Sequence, residues 1–221
     1  MGKLGRALLV LPLAGSPAWA GGLEQKFDTT NATVDVSAAT YDGSAAIRVL
    51  DVSGERPLDP LVILKDVRFG NGTIEAEVAG KPAPGAGSDV RGFIGIAFRV
   101  QGDRSRYEAF YIRPTNGRAD DQLRRNHATQ YIGMPDFTWQ RLRREHPGVY
   151  ESYADMAAGQ WTKLRIEVEG AKARLFVGDA RQPSLIVNDL KLGSDARGGV
   201  ALWIGTGTEG YFRNVRVTPR D

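Results

Sequence analysis

Thr73-Ile74-Glu75-Ala76-Glu77-Val78 and Leu164-Arg165-Ile166-Glu167-Val168-Glu169 each alternate apolar with polar or charged residues. Successive side chains of a pleated strand point to opposite faces, so a period of two places one face in a core and the other toward water or a groove. Ala173-Arg174-Leu175-Phe176-Val177 repeats the pattern more loosely. Outward from these stretches, further strand candidates are Ala32 to Val36, Ala45 to Leu50, Leu61 to Leu64, Gly92 to Val100 and Arg106 to Arg113. Others are Ser184 to Val187, Gly199 to Ile204 and Tyr211 to Val217, with the opening stretches extending over Gly72 to Val78, Trp161 to Glu169 and Ala171 to Val177. Short strands punctuated by Gly, Pro, Asn and Asp predict an all-β, two-sheet antiparallel sandwich rather than βαβ units. Glu75 and Glu77 then read as the solvated face of an outer strand.

The strand rhythm continues on both sides of Ser53 to Pro60 and of Ala79 to Val90, which reads these segments as surface loops of one domain. Met1-Gly2-Lys3-Leu4-Gly5-Arg6, the apolar run Ala7 to Ala14 and Pro17-Ala18-Trp19-Ala20 have the order of a secretory signal peptide. The expectation is a leader over residues 1–20, a single domain over 21–221, and export to the periplasm or the extracellular space. The apolar run is shorter than the ~20 residues that span a bilayer, so no membrane insertion is expected. Formal net charge is +3; removing Lys3 and Arg6, with no acid in that segment, leaves +1. So small a balance takes the support from nucleic acid as a partner. The chain has no cysteine, which excludes disulfides, thiolate metal sites, a cysteine nucleophile and a lipidated cysteine.

Pro114 to Ala158 breaks the rhythm as a long loop insertion with a short helix expected at Phe137 to Arg144. It concentrates Asn126, Tyr131, Trp139, Arg141, Arg143, Arg144 and both histidines of the chain, His127 and His146. Long irregular insertions in compact domains are usually functional. Aromatic rings stack on the C–H faces of sugars, and Arg, Asn and Asp supply directional hydrogen bonds to hydroxyls, so this mixture points to a carbohydrate ligand. Alternation in the flanking strands makes Ile94, Ile96, Phe98, Phe110, Ile112, Leu202 and Ile204 core. Gly95, Ala97, Arg99, Tyr111, Arg113 and Trp203 then occupy the other face. The expected site is a concave sheet face carrying Arg99, Tyr111, Arg113 and Trp203, roofed by the insertion and bordered by the turn Gly205 to Gly210 with Glu209. Asn126, Tyr131 and Trp139 complete the substrate-binding set. Trp161, at the opening of a strand, reads as packing. A loop histidine bonded to backbone is the plain alternative for His127, and a salt-bridged helix face for the three arginines.

Phe69-Gly70-Asn71-Gly72-Thr73-Ile74-Glu75-Ala76, Tyr111-Ile112-Arg113-Pro114-Thr115-Asn116, Gly159-Gln160-Trp161-Thr162-Lys163-Leu164, and Ala201-Leu202-Trp203-Ile204-Gly205 with Glu209-Gly210-Tyr211-Phe212 carry a resemblance. Over about residues 25 to 218 the chain resembles the 3-keto-disaccharide hydrolase domain family, a branch of the concanavalin A-like lectin and glucanase superfold often described as glycoside hydrolase family 16-like. The resemblance implies a jelly-roll sandwich acting on glycosides oxidised at C3. A C3 ketone acidifies the C2 hydrogen, so a base can remove it and the C1 substituent can leave, with water added afterwards. His127 has the ordinary pKa for the base, and Arg113, Arg99 or a bound divalent cation could stand near the carbonyl oxygen. Asp120 and Asp121 are the candidate cation ligands; no fuller ligand set is specified, nor is an oligomeric state. The Glu-x-Asp-x-x-Glu strand motif of family 16 glucanases is missing, since Glu75-Ala76-Glu77 lacks its Asp and third position. The alternative is a lectin-like module that binds carbohydrate without cleaving it.

Overall fold

The computed structural model describes residues 27–28, 34–52 and 61–220. Residues 1–20, expected to be a leader, and Ala32, Thr33 and Ser53 to Pro60 lie outside the described residues. β1 (Phe27–Asp28), β4 (Leu61–Leu64), β6 (Ile94–Val100), β7 (Tyr107–Ile112), β8 (Thr129–Met134), β9 (Glu151–Ser152) and β13 (Gly199–Ile204) form the first sheet, ordered β1-β4-β13-β6-β7-β8-β9. β2 (Val34–Tyr41), β3 (Ser44–Asp51), β5 (Asn71–Pro82), β10 (Thr162–Glu169), β11 (Lys172–Val177), β12 (Leu185–Val187) and β14 (Thr208–Arg220) form the second, ordered β12-β11-β10-β5-β14-β3-β2. Neighbours in both sheets pair antiparallel, giving a two-sheet jelly-roll sandwich.

The alternating stretches meet at the centre of the second sheet. Ile74 pairs with Ile166 and Ala76 with Leu164, all buried, while Glu75 and Glu77 fall on the other face. These inward residues pack with Ile96, Phe98, Phe110 and Leu202 of the first sheet into the main core. Phe98 lies edge-on to Phe69 and parallel to Phe110, with ring centroids 6.2 and 6.1 Å apart. Among the described residues, no helix is long and apolar enough to cross a membrane.

Three expectations need correction. Ala79 to Pro82 is the end of β5 rather than loop. The insertion is more regular than its sequence suggests: β8 and β9 add two strands to the first sheet, with α1 (Gln122–Asn126) between β7 and β8 and α2 (Trp139–Glu145) between β8 and β9. β8 is covered on both faces, so Thr129-Gln130-Tyr131-Ile132-Gly133-Met134 has no polar alternation to betray it.

Arg99 is the third correction. Gly199 pairs with Val100 but Val200 with Phe98, which leaves Arg99 as the extra residue of a β-bulge at φ 54°. The bulge resets the alternation and turns Arg99 into the interior instead of onto the open face. There it is fully buried and donates to the carbonyl oxygens of Gly70, Gly170 and Gly193 at 2.8–3.0 Å and to Glu108 Oε2 at 3.1 Å. Glu108, also fully buried, accepts from Tyr131 Oη at 2.7 Å and from the Leu192 amide at 3.2 Å. Tyr131 is therefore a core residue rather than part of a surface site, and burial, then the Glu108 charge, push its phenol far above the ordinary 10.0.

A buried ion stripped of its partner is costly, so Glu108→Ala should lower stability by about 3–5 kcal/mol. Tyr131→Phe, which keeps the ring and removes two hydrogen bonds, the one donated to Glu108 and the one accepted from the Lys191 amide, should lower it by about 1–3 kcal/mol. Urea denaturation measures both, and equal losses would contradict the buried-charge account.

Candidate functional site

The outer face of the first sheet carries its own apolar cluster, with Ala97, Tyr107, Ala109, Tyr111, Ile132 and Trp203 among its buried members. Gly95 explains how two of these rings meet. It pairs with Tyr111 on one side and Trp203 on the other, and having no side chain it leaves a gap into which both rings lean. They stack at 4.5 Å between centroids with 24° between planes, and a Cβ on Gly95 would stand 2.5 Å from Tyr111 Cα. Phe93 lies edge-on to Tyr111 at 6.3 Å, and Trp203 Nε1 donates to Tyr107 Oη at 3.4 Å.

Above this floor runs a groove of about 840 Å³. Pro84 to Gly87 and the turn Gly205 to Gly207 form one wall, Thr138, Trp139 and Gln140 at the start of α2 the other. Tyr111 and Trp203 are only 2 % and 4 % exposed, whereas Trp139 is 38 % exposed, so a ligand would meet Trp139 before the floor. Thr138 caps α2, its Oγ accepting from the Arg141 amide, which fixes where Trp139 begins the helix.

Beside the floor lies a chain of polar contacts. Arg113 donates to Tyr111 Oη at 3.0 Å, to Gln130 Oε1 at 2.9 Å and to the His127 carbonyl oxygen at 2.9 Å. Its guanidinium stands 5.0 Å from the Tyr111 ring centroid and 5.9 Å from that of Trp139. Glu151, nearly buried, receives two hydrogen bonds from Arg143 at 2.8 and 2.6 Å and approaches Arg113 at 3.8 Å and His127 Nε2 at 3.4 Å. Arg143 also covers the Trp139 ring at 4.8 Å. Burial pulls the Arg113 pKa below the ordinary guanidinium range, yet a guanidinium remains charged at neutral pH. Burial also pushes His127 below its ordinary 6.5; Arg143 and Arg113 act the same way, and Glu151 opposes them.

Thus Tyr111, Trp203 and Trp139 line the groove, and Arg113 and His127 stand behind it. Asn126 is exposed at the end of α1, its Oδ1 accepting from Gln122 at 2.8 Å. Arg99 and Tyr131 belong to the interior. Glu209 lies on the outer face of the opposite sheet, bound by Arg48 at 2.7 Å, Tyr211 Oη at 2.8 Å and Lys81 at 3.2 Å, so it does not border the groove. Asp121 spends its carboxylate on the amide of Arg124 as the cap of α1. Among the described residues no cluster of three or more His, Asp or Glu side chains could hold a metal ion, so the Asp120–Asp121 pair does not fit one. The sequence reading missed Glu151 and Gln130, isolated polar residues in buried strands with no motif around them.

His127 is predicted to titrate with a midpoint below 6.5, read from its imidazole resonances. Glu151→Gln should lower it further, because the carboxylate is what favours the imidazolium. The unfolded chain binds this proton more readily, so the stability tied to the neutral ring is present above pH 6.5 and is lost as pH falls through the folded midpoint. A midpoint above 6.5 would contradict the burial of this ring.

No protein-family model matches the chain, and no curated protein matches it. Among solved structures, the fold is similar to the carbohydrate binding module CBM66 from Bacillus subtilis, at 12% identity over 83% of this chain and 92% of that one, TM-score 0.54. It is also similar to a protein of unknown function with a galectin-like fold from Bacillus subtilis, at 8% identity over 85% and 90%, TM-score 0.50. At such identities the likeness establishes the galectin-like and concanavalin A-like sandwich.

Proposed function

We propose that the chain binds a carbohydrate in the groove over Tyr111 and Trp203. The observation that carries this reading is the stacked aromatic floor beneath an 840 Å³ groove whose exposed wall is a third ring, Trp139. Flat rings match the C–H faces of a pyranose, while Gln140, Asp89 and Thr206 along the walls can meet its hydroxyls. The shared fold with a module named for carbohydrate binding supports it. The reading includes export, with residues 1–20 as leader and a periplasmic or extracellular place of action.

A second reading, cleavage of the glycosidic bond of a 3-keto-glycoside, is favoured by His127, a ring held neutral by burial whose carbonyl oxygen is bonded to Arg113. In it, His127 takes the C2 proton and the C2–H electron pair forms an enolate on the C3 carbonyl oxygen, with Arg113 as the candidate cation there. The pair then returns to make a C1–C2 double bond as the C1–O bond breaks, the leaving oxygen takes the proton from His127, and water adds across the double bond to complete hydrolysis. Binding is the better supported of the two. Arg113 already spends donors on Tyr111, Gln130 and the His127 backbone, and His127 Nε2 stands against Glu151 rather than lining the groove.

Trp139→Ala should weaken sugar binding about tenfold while leaving the fold intact, since this ring is among the more exposed in the chain. Titration calorimetry against a sugar that raises the melting temperature of the wild type is the measurement, and an unchanged affinity would remove the groove from the account. For cleavage, aglycone release from a 3-keto-glucoside should vanish in His127→Ala while sugar binding persists. Release that survives the substitution would discard His127 as the base.

A further inference from the structure

The outer face of the second sheet holds another aromatic cluster, which the groove does not use. Tyr41, at the end of β2, stacks on Tyr211 of β14 at 3.9 Å with 16° between planes, and meets the Trp161 ring edge-on at 5.7 Å. Ala46 and Ala79, small and buried, leave room for these rings. Arg213 covers Trp161 at 4.3 Å. The two-residue hairpin turn Asp42-Gly43, with φ of 48° and 69°, follows Tyr41 directly. Tyr41 Oη donates to the Gly159 carbonyl oxygen at 2.7 Å and ties this turn to the segment entering β10. Between them is a depression of about 650 Å³ lined by Tyr41, Asp42, Gly159, Gln160 and Trp161. Small-ligand sites typically measure roughly 300–1,000 Å³.

The polar groups around this depression divide into two kinds. The cations beside it are committed: Arg48 and Lys81 to Glu209, Arg213 to Glu77, Lys163 to Asp179. Of the lining residues, Tyr41 and Gly159 are bonded to each other, and three side chains are left uncommitted. Trp161 Nε1 is buried without a hydrogen-bond partner, and the side chains of Gln160 and Asp42, both exposed, have none among the described residues. A buried indole N–H without an acceptor is rare in native structures, and here it belongs to a ring that lines the depression. Two rings, an uncommitted amide, an uncommitted carboxylate and no uncommitted cation suit hydroxyl groups on a compact ring, and give an anionic sugar nothing to pair with.

We propose that this depression is a second ligand site, on the sheet opposite the groove, and that it takes a neutral saccharide. The depression shares no lining residue with the groove, so either site can be lost without the other. Calorimetric titration of the full chain with cellotetraose, laminaritetraose, xylotetraose and mannotetraose provides the test. It compares the wild type, the groove variant Trp139→Ala and the double variant Asp42→Asn/Gln160→Ala. Asn tolerates the left-handed turn that Asp42 occupies and both side chains are exposed, so melting temperature should stay at the wild-type value. The expected result is that at least one sugar fills about two sites, and that the double variant weakens one of them about tenfold while Trp139→Ala affects only the other. A double variant that binds every sugar as the wild type does overturns the second site, as does the absence of binding by all four sugars. An effect of the double variant without any effect of Trp139→Ala upholds the second site and rejects the groove.

Discussion

A sheet face made of aromatic and aliphatic side chains cannot stay wet without cost, and the first sheet has two such faces. β6, β7 and β13 are buried along nearly their whole length, inward by the main core and outward by the cluster of Tyr107, Tyr111, Ile132 and Trp203. Antiparallel sheets commonly leave one face to water. Here the outer face is partly roofed by the loop after β5 and by the start of α2, and the groove is the space that roofing leaves. The fold thus produces a cavity with an apolar floor and walls that carry a few polar groups, which is the composition of most small-ligand sites.

Sequence periodicity exposed this arrangement wherever one face of a strand is polar or one residue is small. Ile74, Ala76, Leu164 and Ile166 entered the core as their alternation requires, and Tyr111 and Trp203 took the other face across Gly95. It failed where its premise failed. At Arg99 one inserted residue reverses the phase, and a bulge leaves no mark in a run such as Phe98-Arg99-Val100. In β8 both faces are covered, so there was nothing to alternate. Glu209 was misplaced for a different reason: alternation assigns a face within a strand but is silent on which sheet the strand joins, and the turn Gly205 to Gly207 carries the chain from the first sheet to the second. Glu151 and Gln130 left no signal, because their roles arise from partners 8 to 38 positions away.

Polar contacts behind the groove hold its floor in place. Arg113 joins Tyr111, Gln130 and the His127 backbone, and Glu151 draws Arg143 and His127 to the same spot. Each carbonyl or carboxylate in this set accepts from more than one group or from a charged one, so rotating one ring breaks bonds at several others. A floor fixed in advance loses little conformational freedom when a ligand arrives, which is the condition under which a shallow contact area gives useful affinity. The same commitments argue against Arg113 as a mobile catalytic group, because leaving its present acceptors would strand buried oxygens.

The two aromatic clusters differ in how their charges are used, and the difference follows from the sandwich. Beneath the groove, cations outnumber the one buried carboxylate and support the floor from behind. On the opposite face, Arg48, Lys81 and Arg213 are each matched to an acid within the sheet, so the rings there sit in a surface with little local field. Because the main core separates the sheets, neither cluster can reach the other's ligand, and whatever each holds is held independently.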